Sequence, residues 1–209
     1  MCIRDRHVEE LRCIRIKLIS FAAKLAAGAM SLVMPLAHAQ IVADPSAPNN
    51  QRPTILETAN GLPQVNIRAP SAAGVSRNTY SQFDVQSNGA ILNNSRTNVQ
   101  TQTGGWVQAN PWLVGGTARV ILNEVNSSNP SQLRGFVEVA GQRAEVIIAN
   151  PAGIQVNGGG FINADRVTLT TGTAVMNPVN GSLEGYRISQ GAISVNGLGL
   201  DTRTASYTD

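Results

Sequence analysis

The chain has 209 residues, enough for one domain with a substantial core and little left for a second. Its 16 Lys plus Arg against 13 Asp plus Glu give a pI near 9.2, but six of the basic and three of the acidic residues precede Gln40, so ten of each follow it. Both cysteines, Cys2 and Cys13, and both histidines, His7 and His38, also lie before Gln40, which leaves the remainder without a disulfide framework, a Cys or His metal site, or a His-dependent triad.

In chain order, Arg4, Arg6, Arg12, Arg15 and Lys17 precede the apolar run "LISFAAKLAAGAMSLVMPLAHA", which ends in the small-x-small site Ala37-His38-Ala39. This predicts a cleaved secretory signal over residues 1–39. A transmembrane anchor is the weaker alternative: Leu18 to Leu36 is about long enough for ~30 Å of hydrocarbon, but Lys24 interrupts it and Pro35 breaks its end. Asp5, Glu9 and Glu10 sit where a signal should be plainly basic and point to a gene start placed too far upstream. Residues 40–53, "QIVADPSAPNNQRP", carry turn chemistry without a period and read as a flexible or extended lead-in to a domain over residues 54–209.

Beyond it, strand-sized runs recur: "QVNIRA" at Gln64, "FDVQ" at Phe83, "AILNN" at Ala90, "ARVILNEV" at Ala118, "RGFVEVAG" at Arg134, "AEVIIAN" at Ala144, "GIQVNG" at Gly153, "RVTLTTG" at Arg166 and "AISVNGLGL" at Ala192. Most obey a period of two, and no stretch holds a helical period for three turns, so this part is all-β. Turn pairs such as Asn88-Gly89, Gly104-Gly105, Asn157-Gly158, Asn180-Gly181 and Asn196-Gly197 fit either hairpins of a sandwich or corners of a parallel β-helix. The pairs Val146 and Ile148, Ile154 and Val156, Val167 and Leu169 recur at intervals too uneven for identical hairpins, which favours the β-helix. Asparagines in "ANPAGIQVNG" then read as corner residues whose amides bond backbone groups left unpaired at a turn.

The ten arginines are scattered from Arg52 to Arg203, which argues against a nucleic-acid surface. Glu138, Glu145, Asp165 and Glu184 stand singly between apolar residues, as outward strand positions do. Catalysis would need two of them to converge in one groove, and no enzyme activity, metal or cofactor is expected. Trp106 and Trp112 could stack on sugar, with core or cap packing the favoured role.

Two stretches, Val65 to Ser95 and Ile121 to Gly172, resemble the N-terminal secretion domain of two-partner secretion exoproteins, the filamentous haemagglutinin and contact-dependent inhibition group. The resemblance runs from about Ile55 to the C-terminus. That family's Asn-Pro-Asn-Leu element falls on Asn110, Pro111, Trp112 and Leu113, with Trp112 replacing the second Asn; its Asn-Pro-Asn-Gly element falls on Asn150, Pro151, Ala152 and Gly153, with Ala152 doing the same. Each replacement removes a side-chain hydrogen-bonding group while leaving the turn residues in place. A Cys pair found in some relatives has no counterpart in Val156-Asn157-Gly158-Gly159-Gly160.

The resemblance implies a right-handed parallel β-helix with an N-terminal cap and small extra-helical β elements. It further implies export by the Sec translocon, recognition by the periplasmic POTRA domains of an outer-membrane TpsB-type β-barrel transporter, and folding outside a Gram-negative cell, with the eight motif residues as recognition or turn residues. The product would be secreted or held at the cell surface. The chain would be the start of a longer exoprotein, whose downstream regions would carry the payload and engage any host or neighbouring-cell receptor. The alternative is an adhesin or carbohydrate-binding β-helix module.

Overall fold

The computed structural model describes residues 41–188 and 190–201; the predicted signal, residues 1–39, lies outside them. Strand β1 (Ile41–Ala43) and strand β2 (Thr54–Glu57) come first, separated by a 3₁₀ turn at Asn49–Gln51. A parallel coil follows. Its first rung is β3 (Pro63–Asn66), β4 (Val75–Phe83) and a bridge at Val85. The second is β5 (Ala90–Asn94), an excursion bearing β6 (Val99–Gln100) and β7 (Trp106–Val107), then β8 (Val120–Val125) and β9 (Ser131–Leu133). The third is β10 (Phe136–Gly141), β11 (Ala144–Ala149) and β12 (Ile154–Val156). The fourth is β13 (Gly159–Ile162), β14 (Ala164–Thr170), the hairpin β15 (Gly172–Met176) and β16 (Leu183–Ile188), then β17 (Ile193–Val195); β18 (Leu200–Asp201) begins a fifth.

Three faces result. Strands β3, β5, β10, β13 and β18 stack in parallel on the first, β4, β8, β11 and β14 on the second, and β9, β12 and β17 on the third. This is the parallel β-helix with extra-helical elements that the resemblance implied. Register stacks like on like: Val65 on Leu92 on Val139 on the first face, Val146 on Val167 and Ile148 on Leu169 on the second. The apolar pairs read from the sequence are thus columns of one core, with Ile154 and Val156 supplying its third wall.

The inner column of the second face changes chemistry along the coil. Asn78 and Asn123 occupy the positions that Ile148 and Leu169 occupy in later rungs. The Tyr80 hydroxyl donates to Asn123 Oδ1 at 2.9 Å, the Asn123 amide to the Ile147 carbonyl at 3.1 Å, and the Arg68 N–H to Asn78 Oδ1 at 2.9 Å. Burial raises the Tyr80 phenol well above its ordinary pKa, so it stays a neutral donor.

Both hairpins cover outward apolar residues. The β15–β16 pair brings Ala174, Met176, Leu183 and Tyr186 onto Val75, Leu122, Ile147 and Ala149, while β6–β7 brings Val99 and Val107 onto Ile91 and Ala140. The latter is latched by Glu138, whose carboxylate accepts the Gln102 and Thr103 N–H groups at 2.7 and 2.8 Å and the Thr103 hydroxyl at 2.6 Å. Glu138 does point outward as expected, but it is buried rather than solvated.

Of the flexible or extended lead-in expected over residues 40–53, the structure corrects the flexible reading from Ile41 onward. Strand β1 pairs antiparallel with β4, Ile41 facing Phe83, and Ile41 and Ala47 are buried. Strand β2 pairs antiparallel with β3, so the two strands together cover the leading edge of the first rung, which would otherwise expose unpaired N–H and C=O groups. The Asp-Pro and Asn-Asn turn chemistry is used in a fixed cap: Asp44 accepts the Ser46 hydroxyl at 2.6 Å, the Ser46 N–H at 2.8 Å and the Asn126 amide at 3.2 Å.

Two outcomes follow from this packing. A Cβ on Gly135, between β9 and β10, would lie 2.0 Å from the Gln86 carbonyl oxygen, whereas one on Gly115 meets open space. Gly135→Ala is expected to lose ~1–3 kcal/mol in urea unfolding, with Gly115→Ala near neutral. The Ser46 hydroxyl bond, the Ser46 N–H, Asn126 and Arg52 hold the Asp44 pKa below its ordinary value against its own desolvation. Its contribution is therefore present above the unfolded Asp pKa of ~3.9 and lost as pH falls through the folded value. Urea midpoints from ~pH 6 to ~pH 2.5 should fall less steeply for Asp44→Asn than for the parent.

Candidate functional site

The two Asn-Pro elements adopt the same turn. In each, Asn Oδ1 accepts the N–H two residues on (Trp112 at 3.0 Å, Ala152 at 2.9 Å) and the Asn carbonyl accepts the N–H three residues on (Leu113 at 3.2 Å, Gly153 at 3.0 Å). Pro suits the second position because its φ is preset and no N–H is needed there. The residue that differs from the family pattern, Trp112 or Ala152, gives the turn only its backbone N–H, which is why the turn survives both replacements.

Both asparagines face inward. Asn110 donates to the Ile67 and Asn93 carbonyls, each at 2.9 Å, tying the excursion to the ends of the first two rungs on the first face. Leu113 then enters the core beside it. Asn150, at the corner leaving β11, donates to the Asn129 carbonyl at 2.9 Å and the Ser131 hydroxyl at 3.0 Å. Relative exposure is 3% for Asn110 and 0% for Asn150, and both amide protons of each are committed. The two motifs serve different corners and are not brought into one surface. Gly153 closes the second turn at φ 122°, in a region side chains rarely adopt.

Trp112 is partly exposed on the cap, its Nε1 donating to Thr54 Oγ1 at 3.1 Å and its ring lying 3.7 Å beneath the Arg68 guanidinium. This matches the cap-packing expectation. Trp106 does not: it is 71% exposed on the outer side of β7, because its neighbour Val107 takes the inward position.

Two grooves bring carboxylates onto a common lining, Asp44 with Glu124 and Glu138 with Asp165. Each of these is engaged. Glu124 pairs with Arg77, Asp165 lies 3.2 Å from Arg143 Nε, and Asp44 and Glu138 hold the bonds given above. Glu145 pairs with Arg166 at 2.6 Å, and Glu184 accepts from the Asn177 amide at 2.7 Å. No group of three or more His, Cys, Asp or Glu suited to a metal ion occurs among the described residues. Sequence reasoning missed Asn94, whose amide clasps the Ala118 N–H and carbonyl at 2.8 and 2.9 Å and the Gln142 carbonyl at 2.8 Å, closing the excursion at its base. Its place at the end of a buried strand, in "AILNN", was the available signal.

Comparison with known proteins adds to this geometry. A model described as the TPS secretion domain matches residues 39–209. The chain is 56% identical over 203 residues to Toxin CdiA of Yersinia pestis, covering 97% of this chain and 6% of that protein. It is 50% identical over 193 residues to tRNA nuclease CdiA-2 of Burkholderia pseudomallei (strain 1026b), covering 91% of this chain and 6% of that protein. The crystal structure of the filamentous haemagglutinin secretion domain superposes with a TM-score of 0.69 at 37% identity, over 77% of this chain and 51% of that one.

The motif geometry sets a contrast. Asn150→Ala strands the Asn129 carbonyl, the Ser131 hydroxyl and the Ala152 N–H, and is expected to lose on the order of 3 kcal/mol in urea unfolding. Ala152→Asn, which leaves the backbone bond intact, should stay within ~0.5 kcal/mol of the parent.

Proposed function

The chain belongs to the TPS secretion domain family, and on that premise we propose that it is the segment recognised by the POTRA domains of an outer-membrane TpsB-type transporter, and the seed on which a longer exoprotein folds. Proteins of this family are secreted or displayed on the surface of Gram-negative bacteria, and that is the location of this chain. In this reading Sec delivers the chain to the periplasm unfolded, the transporter takes it through the outer membrane, and the coil assembles outside.

The observation that carries the proposal is the burial of Asn110 and Asn150 with both amide protons committed. A transporter that reads these residues reads them before folding, and folding withdraws them. The order suits release: each rung added outside buries apolar surface at ~25 cal/mol per Å² and removes side chains from the periplasmic contact. The engaged carboxylates support a domain that performs no catalysis. The toxin and nuclease names belong to proteins of which this chain covers 6%, and those activities are not assigned to it. A second reading, a carbohydrate-binding surface, draws on exposed Trp106 alone, since the Arg68 guanidinium covers one face of Trp112.

Secretion of the chain in a Gram-negative host, with and without a cognate transporter, is expected to be transporter-dependent; accumulation in the periplasm in both cases overturns the proposal. Purified POTRA domains should capture the chain when it is diluted from denaturant and ignore it once folded. Equal capture of both forms would show that the buried asparagines are not what is read.

A further inference from the structure

A groove of about 450 Å³ runs between the cap turn at Asn50 and Gln51, the loop following β3, and the tip of the β15–β16 hairpin. The hairpin tip is fastened to that loop by the Ser71 hydroxyl, which donates to the Gly181 carbonyl at 2.9 Å, and by the Ala73 N–H, which donates to the Asn180 carbonyl at 3.2 Å. Two arginines line the groove, Arg68 and Arg77, and among the described residues no carboxylate does. Arg77 is neutralised from the far side by Glu124.

Arg68 is not neutralised. Its guanidinium makes no hydrogen bond or ion pair among the described residues, and its Nε is buried without a partner. Trp112 covers one side of it at 3.7 Å. Burial alone pushes its pKa below the ordinary arginine value, the mark of a cation that has lost water without gaining an anion. A guanidinium in that state presents the fork that a carboxylate fills with two parallel bonds.

We propose that this groove docks an acidic, extended peptide segment of a protein partner, with one carboxylate seated on Arg68. Pro70, Val75, Met176 and Pro178 supply apolar walls suited to neighbouring side chains of such a segment. A sugar would want an open aromatic face, and the nearest one, Trp112, is occupied by Arg68 itself. The groove joins the cap that precedes the first rung to a hairpin that leaves the fourth, so only the completed domain has it. The inference is therefore independent of transporter recognition, which concerns the chain before folding.

Trp112 is a built-in reporter, and Trp106→Phe makes it the sole tryptophan. The probes are a blocked hexapeptide alternating Glu with Val, the same peptide with Gln for Glu, and a heparin-derived oligosaccharide. The folded chain should show a saturable, salt-weakened change in Trp112 emission with the Glu peptide, at least ~10-fold tighter than with the Gln peptide. Arg68→Gln should abolish the response, and Arg68→Lys, which keeps the charge but not the fork, should retain a weakened one, circular dichroism checking the fold of each. Equal binding of the Glu and Gln peptides, undiminished binding by Arg68→Gln, loss in Arg68→Lys as complete as in Arg68→Gln, no binding at all, or preference for the oligosaccharide would each overturn the proposal.

Discussion

A coil of parallel strands satisfies its backbone along each face, where every strand between the end rungs has a neighbour above and below, but not at its corners. There the chain turns, the ladder stops, and buried N–H and C=O groups need other partners. Buried or partly buried asparagine amides meet that need in this domain. Asn94 closes the base of the excursion, Asn110 ties it to the first two rungs, Asn150 turns the second face into the third, and Asn163 donates to the Val139 and Gly141 carbonyls from a left-handed corner at φ 57°. Asn suits the last position because its short polar side chain offsets the cost of that conformation.

The same dependence gives the domain a direction. Its first two rungs are held by side-chain hydrogen bonds, from the Asn78 amide to the Leu122 carbonyl and from the Tyr80 hydroxyl to Asn123 Oδ1, which demand one register, whereas later rungs repeat Ile, Leu and Val in the same columns. A specific start followed by a permissive continuation is the arrangement a folding seed needs, since every later rung takes its register from the one before. The antiparallel cap strands β1 and β2 close the start against further pairing.

Burying the motif asparagines links fold to export. An amide that spans two rungs cannot also contact a partner, so recognition of those residues and completion of the coil are alternative uses of the same groups. The surface of the finished domain then has its own chemistry, and the arginine groove between cap and hairpin belongs to that later stage.

Much of this was legible in the chain itself. Period-two runs determined the all-β class, because inward alternation is a local property, and the Asn-Gly corners with the recurring pairs at Val146, Ile154 and Val167 favoured a stacked coil over a sandwich. The Asn-Pro pairs determined their turns, because an Asx turn closes within four residues. Tertiary structure decided the rest. The unalternating stretch "VIIA" at Val146 has its outward Ile147 and Ala149 covered by a hairpin some 25 residues later, and no local pattern announces that cover. Residues 41–53 look like a loose leader because their partners, Thr79, Phe83 and Asn126, lie far along the chain. Which groups a corner amide bonds, and that the partly buried Arg68 meets no anion among the described residues, depend on contacts across rungs, which a chain specifies only once it has stacked.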